Sequence, residues 1–324
     1  MRRPPTDADR IAAAIALSRR GRPASAPNPN VGCLIVRDGK VVGRGWTQAG
    51  GRPHAEAMAL IAAGAAARGA TAYASLEPCA HASARGPACS DLLIAAGIAR
   101  VVIAAQDPDP RTDGRGIARL QAAGIEVVFN VLPAEARAAM APWWTRRAEG
   151  RPFVTLKLAT SLDGCIARAD GASRWITGER ARAHGHLERA QHQAILVGRG
   201  TLDADAPKLD VRLPGLESRS PKKLLLTRGT APGGWTAVAS PEAVDDVDSL
   251  LVEGGARAAS AFLAADRVDR LLLYRAPILI GGGKPALGDI GLAGLADAHG
   301  RWHLADSRLL GSDRLDVYER IRTI

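Results

Sequence analysis

The sequence predicts an α/β protein with two domains. Short apolar runs of strand-like character alternate with helical patterns along both halves, which is typical of α/β domains with a parallel or mixed sheet. A chain of 324 residues is long enough for two domains that each bury a core. Because Glu149-Gly150-Arg151-Pro152 interrupts the pattern between the halves, we expect one domain over residues 1–148 and a second over 149–324.

The first half is expected to form a helix followed by strands and helices in the order β-β-α-β-α-β-α-β. Thr6 and Asp9 have the spacing of a capping box for the opening helix. Asp38-Gly39, a strong hairpin-turn signal, lies between two strand-like runs. The expected strands are 31–36, 40–45, 70–75, 100–105 and 125–129, and the expected later helices are 54–68, 89–97, 114–123 and 133–147.

The second half begins again with an alternating strand. The expected strands are 153–159, 194–197, 224–227, 250–252 and 268–274, and the expected helices are 178–193 and 256–265. No G-x-G-x-x-G follows the first strand, which argues against a Rossmann dinucleotide site. Glycines instead follow three strands, and Gly254-Gly255 at the start of a helix is the best candidate for binding a diphosphate. Taken singly, each glycine pair is better explained as a turn than as a cofactor-binding loop.

His54, Glu56, Cys79 and Cys89 form the most informative pattern in the sequence. One imidazole and two thiolates can hold Zn²⁺ with its fourth position open to water, whose pKa the metal lowers. A glutamate two residues after the histidine is placed to carry a proton rather than to bind the metal. His54 and Cys89 each begin a predicted helix, and helix N-termini favour thiolate over thiol. The pattern therefore predicts a zinc-dependent deaminase.

Two other interpretations of these residues remain open at this point. A single histidine or cysteine in a reduced protein is usually a packed core residue. A structural zinc site would need a fourth protein ligand, which His81 could supply. The order H-x-E, then P-C, then a further cysteine favours the catalytic arrangement.

Four segments of the first half carry a family resemblance. They are Pro27-Asn28-Pro29-Asn30-Val31-Gly32-Cys33, Pro53-His54-Ala55-Glu56, Leu76-Glu77-Pro78-Cys79-Ala80-His81 and Gln106-Asp107-Pro108-Asp109-Pro110. With them the first half resembles the deaminase half of bifunctional riboflavin biosynthesis proteins, which has a cytidine-deaminase-like, three-layer fold. The resemblance implies zinc ligands His54, Cys79 and Cys89 and a catalytic Glu56. Nine residues separate the two cysteines, one more than in the common form of the family.

The second half resembles the reductase half of the same proteins, which has a dihydrofolate-reductase-like fold and uses NADPH. The matching segments are 157–164, 173–178, 194–201, 204–205 with Pro207, Leu209 and Arg212, and 252–255. The resemblance implies substrate contacts from Ser173, Arg189, Leu209, Arg212 and Glu253. It implies NADPH contacts from Ala159, Trp175, Thr201, Asp205, Thr227 and the segment that begins at Gly255.

The chemistry of these side chains suits the substrate that the resemblance implies, a pyrimidine carrying a ribosyl or ribityl phosphate. Arg189 and Arg212 can donate bidentate, charge-assisted hydrogen bonds to a phosphate. Asp205 and Glu253 can bind sugar hydroxyls, and Lys157 can help to position the sugar or its Schiff-base form. The family usually has Asp-Asp-Pro where this chain has Asp205-Ala206-Pro207, a departure at the second position.

Composition and charge restrict the remaining classes of function. The net charge of +10 is spread over both halves without runs interleaved with aromatics, which argues against nucleic acid as a partner. The N-terminal apolar run 11–17 is flanked by acidic and basic residues, and we interpret it as an amphipathic helix rather than a signal peptide. No stretch has the length of a membrane span. The four unevenly spaced cysteines suit reduced, metal-binding thiols in the cytoplasm.

The sequence thus predicts a bifunctional enzyme of riboflavin biosynthesis that uses Zn²⁺ and NADPH on a small-molecule phosphoribosyl-pyrimidine. The first half would remove the 2-amino group of 2,5-diamino-6-(5-phosphoribosylamino)pyrimidin-4-one, and the second would reduce the ribosyl side chain to ribityl. Three alternatives are a tRNA or nucleobase deaminase, a zinc-stabilised scaffold without activity, and a deaminase with a degenerate reductase half. The resemblance also implies self-association of the chain.

Overall fold

The structure is a computed structural model that describes residues 3–81 and 83–322. Backbone contacts divide the chain into two compact units, residues 1–147 and residues 148–324. Within the described residues, none of the helices combines the length and the apolar character needed to cross a bilayer.

The first unit is a mixed five-stranded sheet with helices on both faces. Its helices are α1 (Asp7–Ser18), α2 (Ala55–Ala63), α3 (Cys89–Ala95), α4 (Arg115–Ala122), α5 (Pro133–Ala139) and α6 (Ala141–Glu149), the last of which extends past residue 147. Its strands are β1 (Gly32–Arg37), β2 (Lys40–Trp46), β3 (Thr71–Ala74), β4 (Arg100–Ile103) and β5 (Glu126–Val128). The strand order is β2-β1-β3-β4-β5, with β1 antiparallel to both neighbours and β3, β4 and β5 parallel.

Close helix–strand packing fixes the position of α2, the helix that follows His54. A Cβ atom on Gly43 would lie 2.2 Å from the carbonyl oxygen of Ala59, and one on Gly45 would lie 2.1 Å from that of Ala55. Because alternate residues of a strand share one face, these two glycines together admit the backbone of α2 against β2. The N-terminus of α2, where the predicted catalytic residues lie, is thereby held against the sheet.

The sequence predictions for the first unit hold for most elements. Asp38 and Gly39 form the hairpin turn with positive φ angles of 50° and 75°, and Thr6 and Asp9 form the predicted capping box. The prediction of one helix over 133–147 is wrong, because the structure has α5 and α6 separated at Met140. A continuous helix would require an N–H at position 142, and Pro142 has none.

The second unit is built on an eight-stranded sheet. Its helices are α7 (Glu179–Ala190), α8 (Arg199–Asp205) and α9 (Ala256–Ala264). Its strands are β6 (Phe153–Thr160), β7 (Cys165–Ala167), β8 (Ala194–Gly198), β9 (Lys222–Leu226), β10 (Thr236–Val238), β11 (Ser249–Val252), β12 (Arg270–Arg275), β13 (Lys284–Pro285), β14 (Trp302–Leu310) and β15 (Asp313–Arg320). The sheet order is β10-β9-β8-β11-β6-β12-β15-β14, parallel except at β15 and β14, and β7 pairs separately with β13.

This order places the carboxyl ends of β6, β8 and β11 at one edge of the sheet. In open sheets with parallel strands, ligands bind outside the carboxyl ends. Gly198 ends β8, and Glu253 and Gly254 directly follow β11. The segments that the sequence singled out therefore lie side by side.

Candidate active sites

His54, Cys79 and Cys89 lie together at the ends of two helices of the first unit. His54 caps α2 and Cys89 is the first residue of α3. The Nδ1 atom of His54 is 3.3 Å from the Sγ of Cys89 and 3.6 Å from the Sγ of Cys79. In a tetrahedral zinc site with ordinary bond lengths, a ligand nitrogen and sulfur are about 3.5 Å apart. The three donors therefore have the spacing and chemistry that Zn²⁺ requires.

The helix ends favour the ionised form of one thiol. The backbone N–H of Cys89 donates to the Sγ of Cys79 at 3.3 Å. Hydrogen bonds from Cys89 and His54 lower the pKa of Cys79 to about 4, against the opposing effect of burial. The pKa of Cys89 is raised, because it shares its proton with Cys79 and is buried. A metal cation bound by both sulfur atoms would displace the proton that remains on Cys89.

Glu56 lies in the first turn of α2 and is 3% exposed, although it is ionisable. Burial raises the pKa of its carboxyl group, while the charge of His54 opposes the shift. Among the described residues the group able to hold a metal contains only the histidine and the two cysteines. Glu56 is thus a buried carboxyl group beside these three donors and is not a fourth member of the group.

His81, the alternative fourth ligand, does not belong to this group. Its Nδ1 atom is 3.4 Å from the hydroxyl of Thr112, and it lines the cavity above the metal site. The side-chain nitrogen of Asn28 donates to the carbonyl of Gly51 at 3.0 Å and is 3.2 Å from the Nε2 of His54, the ring nitrogen that does not face the two thiols.

The cavity above this site has a volume of about 210 Å³. Its rim carries Arg52 and Arg85, which bridge two loops reciprocally. Arg52 donates to the carbonyl of Pro87 at 3.3 Å, and Arg85 donates to the carbonyl of Gly50 at 2.6 Å. In the described part of the chain neither has a carboxylate partner, so both charges are available to an anion.

Two aspartates after β4 form one wall of the cavity. Asp109 accepts hydrogen bonds from Arg111 at 2.9 and 2.6 Å and from Arg147 at 3.3 Å, and these arginines hold its pKa well below the usual range. Burial raises the pKa of Asp107 to about 6. Both residues belong to the motif Gln106-Asp107-Pro108-Asp109-Pro110, which by itself predicts no role for either of them.

Glu77 joins this wall to the loop that carries Cys79. Its buried carboxylate accepts four backbone N–H groups, from Asp107 (3.3 Å), Gly114 (3.0 Å), Gly116 (2.9 Å) and Ile117 (3.2 Å). The last two belong to the first turn of α4, which has no side-chain cap of its own. No local pattern reveals this role, because its partners lie 30 to 40 residues further along the chain.

The second unit contains a cavity of about 810 Å³ at the carboxyl ends of its parallel strands. Most of the residues predicted to contact substrate or NADPH line it: Lys157, Ala159, Ser173, Trp175, Arg189, Thr201, Asp205, Leu209, Arg212 and Glu253. Gly255 lies beside the lining residue Thr201, whose hydroxyl accepts its N–H at 2.9 Å. Thr227 lies apart from the lining, bonded to Gly229 and to the side chain of Arg199.

Arg189 and Glu253, predicted separately for a phosphate and for a sugar hydroxyl, bind each other. Two guanidinium nitrogens of Arg189 donate to the two carboxylate oxygens at 2.8 Å each. The pair is largely buried, and Arg189 together with Lys157 keeps the pKa of Glu253 low despite burial. The ammonium of Lys157 lies 3.9 Å from Glu253 and 5.7 Å from the ring centre of Tyr274. Arg212 is more exposed and faces Asp210 at 3.5 Å.

The start of α9 suits a diphosphate. Gly255 caps this helix without a side-chain hydrogen bond, so the first N–H groups can meet an anion. A Cβ on Gly254 would lie 3.1 Å from the backbone nitrogen of Gly198, so the two glycine segments are in contact. Together with the volume of the cavity, this geometry fits a dinucleotide such as NADPH.

Two further residues of this cavity were missed by the sequence analysis. The hydroxyl of Tyr274 is 2.7 Å from the Nδ1 of His184, which leaves the tyrosine ring facing Lys157. His186 lies 3.0 Å from the carbonyl of Asp210, between Leu209 and Arg212. Both histidines belong to α7, whose sequence alone does not show which face meets the cavity.

Comparisons with known proteins agree with this division of the chain. Residues 5–105 match the model of the cytidine and deoxycytidylate deaminase zinc-binding region. Residues 152–232 and 242–315 match the model of the RibD C-terminal domain. The riboflavin biosynthesis protein RibD of Escherichia coli K12 is 41% identical, with 89% of this chain and 92% of that protein covered. The RibD of Aquifex aeolicus is 34% identical, with coverages of 88% and 90%.

Solved structures show the same likeness over nearly the whole chain. A diaminohydroxyphosphoribosylaminopyrimidine deaminase/5-amino-6-(5-phosphoribosylamino)uracil reductase from Thermotoga maritima superposes with a TM-score of 0.85 at 31% identity, covering 97% of this chain and 99% of that chain. Acinetobacter baumannii RibD gives 0.83 at 33% identity, with coverages of 98% and 99%. The cytidine-deaminase-like and dihydrofolate-reductase-like folds predicted from the sequence are thereby confirmed. This chain belongs to the RibD family of riboflavin biosynthesis proteins, bifunctional enzymes with a zinc-dependent deaminase half and an NADPH-dependent reductase half.

Proposed function

We propose that the chain deaminates 2,5-diamino-6-(5-phosphoribosylamino)pyrimidin-4-one and then reduces the ribosyl group of the product to ribityl. Residues 1–148 would form the deaminase and residues 149–324 the reductase. The observation that carries the proposal is the group of His54, Cys79 and Cys89 with Glu56 beside it, in a cavity lined also by two arginines that have no carboxylate partner among the described residues.

In the deaminase half, His54, Cys79 and Cys89 would hold the zinc. Zinc, when bound there, supplies a Lewis acid that lowers the pKa of a water molecule. Glu56 would take a proton from the attacking water and deliver it to the departing amine, while the second proton of the water ends on the adjacent ring nitrogen. The C–N bond to the 2-amino group is thereby replaced by a carbonyl, and the amine leaves as ammonia. Burial, which raises the pKa of Glu56, suits a group that must be protonated in one step and ionised in another.

The remaining lining residues of this cavity would hold the substrate. Asp107 offers a carboxyl group to the N–H groups of an aminopyrimidine, and Asn28 offers an amide. Arg52 and Arg85 would bind the phosphate with charge-assisted hydrogen bonds, because no carboxylate among the described residues neutralises them. Asp109 is less suited to contact substrate, since Arg111 and Arg147 occupy its oxygens.

In the reductase half, NADPH supplies the reducing equivalent, and the protein supplies orientation and charge. Ala159, Trp175, Thr201, Asp205 and the segment from Gly255 would contact the cofactor, and Thr227 would do so from outside the cavity lining.

Ser173, Leu209, Arg212 and the Arg189–Glu253 pair would contact the substrate. Because Arg189 is bound to Glu253, Arg212 is the stronger candidate for the phosphate. Lys157, held near Glu253 and Tyr274, would position the sugar.

We further propose that the chain acts in the cytoplasm on small molecules, that it does not bind nucleic acid, and that it self-associates. Thiols that serve as zinc ligands suit a reducing compartment. Many arginines of the described surface are paired with carboxylates, as Arg100 is with Asp7 and Glu126. A surface of this kind lacks the unpaired cationic stripe that nucleic acid selects.

One incubation tests both steps. The purified, zinc-loaded protein is mixed with the diaminopyrimidine ribotide and NADPH, and ammonia and NADPH are followed together. We expect ammonia release and an equal loss of NADPH. Ammonia without loss of NADPH would indicate a degenerate reductase half. No ammonia would contradict the proposed substrate.

Glu56→Gln separates catalysis from metal binding in the same assay. We expect the variant to keep its zinc and to lose ammonia release by at least a hundredfold, the usual contribution of a general acid–base group. NADPH consumption with deaminated substrate should be unchanged. Full ammonia release by the variant would favour a scaffold without the proposed chemistry.

A further inference from the structure

Gly185 occupies an unusual place in the second unit. It is the seventh of twelve residues in α7, where glycine is unfavourable relative to alanine because it restricts the unfolded chain less. Such a glycine normally has a backbone reason. Gly43, Gly45 and Gly116 are examples, since a Cβ on each would lie 2.0–2.2 Å from a carbonyl oxygen.

No backbone reason applies to Gly185. Its conformation is helical, and apart from its chain neighbours and the adjacent backbone of α7, no atom of the described residues lies within 4 Å of the place where a Cβ would stand. Gly185 is nevertheless buried and lines the 810 Å³ cavity. The open space beside it is therefore space in the reductase cavity.

Its neighbours place this space on the substrate side of the cavity. Ala181 and Arg189 lie one turn before and after Gly185 on the same face of α7, and both also line the cavity. Arg189 binds Glu253 and also donates to the carbonyl of Asp210 at 3.1 Å. Of the residues proposed for NADPH, Thr201 and Gly255 are bonded to each other away from this pair, whereas the ring of Trp175 lies 4.8 Å from the guanidinium of Arg182 in α7.

We propose that Gly185 is a specificity-determining position of the reductase, where the missing side chain leaves room for the phosphoribosyl-pyrimidine substrate. This inference rests on the proposed function. Residue 185 faces the substrate next to the Arg189–Glu253 pair, so its size limits how closely the pyrimidine and its sugar approach that pair. Glycine is retained at this position, despite the stability that it costs in the middle of a helix, because a side chain would obstruct the ligand.

Gly185→Ala and Gly185→Val test the proposal, because helix propensity and pocket size order the three residues differently. Propensity favours alanine, with valine and glycine below it. Pocket size decreases from glycine through alanine to valine. We expect Gly185→Ala to raise the melting temperature of the reductase transition of the full chain by about 1–4 °C. We expect its KM for the deaminated substrate, supplied directly, to rise on the order of tenfold.

Gly185→Val should raise this KM further, although its melting temperature should be below that of the alanine variant. The KM for NADPH and the rate of ammonia release should not change. Gly233→Ala is the matched control, since Gly233 is exposed in a loop, has open space at its Cβ position and lies outside the cavity lining. It should leave both KM values unchanged.

Three results would overturn the inference. A lower melting temperature of Gly185→Ala would mean that the backbone requires glycine. An unchanged KM for the substrate would mean that the space is not occupied by it, and a raised KM for NADPH alone would assign the space to the cofactor. Failure of the proposed function is distinguishable, because then the unmodified protein itself would not oxidise NADPH with this substrate.

Discussion

Replacing Glu77 with glutamine tests the carboxylate that joins the two sides of the deaminase cavity. Each carboxylate oxygen accepts two backbone N–H groups, one oxygen from Gly116 and Ile117 and the other from Asp107 and Gly114. The glutamine side chain has the same shape, but its NH₂ group cannot accept. Two buried N–H groups therefore lose their acceptor whichever way the amide is oriented.

The expected loss of stability follows from this count. A buried donor without a partner costs about 1–3 kcal/mol, so two cost roughly 2–6 kcal/mol. Because the loop can relax, we expect the free energy of unfolding to fall by about 3 kcal/mol. For a domain of this size, that corresponds to a fall of about 10 °C in the melting temperature. Zinc should still bind, since its ligands are intact, but the KM of the deaminase should rise because the wall that bears Asp107 is no longer fixed.

Scanning calorimetry of the full chain measures this effect. The deaminase transition is the one that moves with zinc concentration, because a ligand that binds only the folded state stabilises it. Glu135→Gln, at an exposed position of α5, is the control and should change the stability by less than about 0.5 kcal/mol. A shift at Glu77→Gln no larger than the control, or an equal shift of the reductase transition, would refute the reasoning.

Three further substitutions test other parts of the two units. Burial raises the pKa of Asp107 from 3.8 to about 6, so its ionisation destabilises the folded state. The stability of the deaminase unit should therefore fall between about pH 4 and pH 6, and Asp107→Asn should be more stable than the unmodified protein by about 3 kcal/mol at pH 8 but not at pH 4. Ala206 has a left-handed backbone with φ 40° and ψ 53°, which glycine adopts more easily than alanine. Ala206→Gly should therefore raise the free energy of unfolding, measured with urea, by about 1 kcal/mol. Arg189→Gln leaves the buried carboxylate of Glu253 without its bidentate partner and should lose about 3 kcal/mol.

For each of these three substitutions, one result would contradict the prediction. An equal gain of Asp107→Asn at both pH values would show that the effect is not ionisation. A loss of stability in Ala206→Gly would show that the alanine side chain makes contacts worth more than its strained backbone. If Arg189→Gln is as stable as a double variant that also replaces Glu253 with leucine, the carboxylate is not held by Arg189.

Local signals in the sequence predicted the elements whose causes are local. Asp38 and Gly39 adopt the positive φ angles of a tight hairpin turn. Thr6 and Asp9 form a capping box whose hydrogen bonds do not depend on what the helix packs against. The C-terminal hairpin of β14 and β15 was missed because β14 is an edge strand. Its residues from His303 to Leu309 are exposed, so no burial of one face imposes an alternating pattern.

The same distinction between local and distant causes applies to the residues of the two candidate sites. The metal-binding group was predictable because His54 and Cys89 stand at helix starts, Cys79 lies in the loop that follows β3, and an imidazole with two thiols is a typical zinc-binding set. Glu77 was missed because its four partners are backbone groups distant in sequence, and a backbone donor leaves no trace in residue type. The pairing of Arg189 with Glu253 was missed for a related reason, since 64 residues separate them and either could equally bind a ligand.

Cationic groups at both cavities give the proposed reaction sequence a physical logic. The phosphate of the substrate takes no part in either step, so both sites can bind the substrate through this group. Binding energy from a group remote from the reacting atoms can be used to orient those atoms. In the first unit Arg52 and Arg85 lie on the rim, above the buried Glu56, and in the second Arg212 is more exposed than the buried Arg189–Glu253 pair. In both units a more exposed cation thus accompanies buried ionisable groups, an arrangement that suits a phosphate held near solvent and a reacting centre kept away from it.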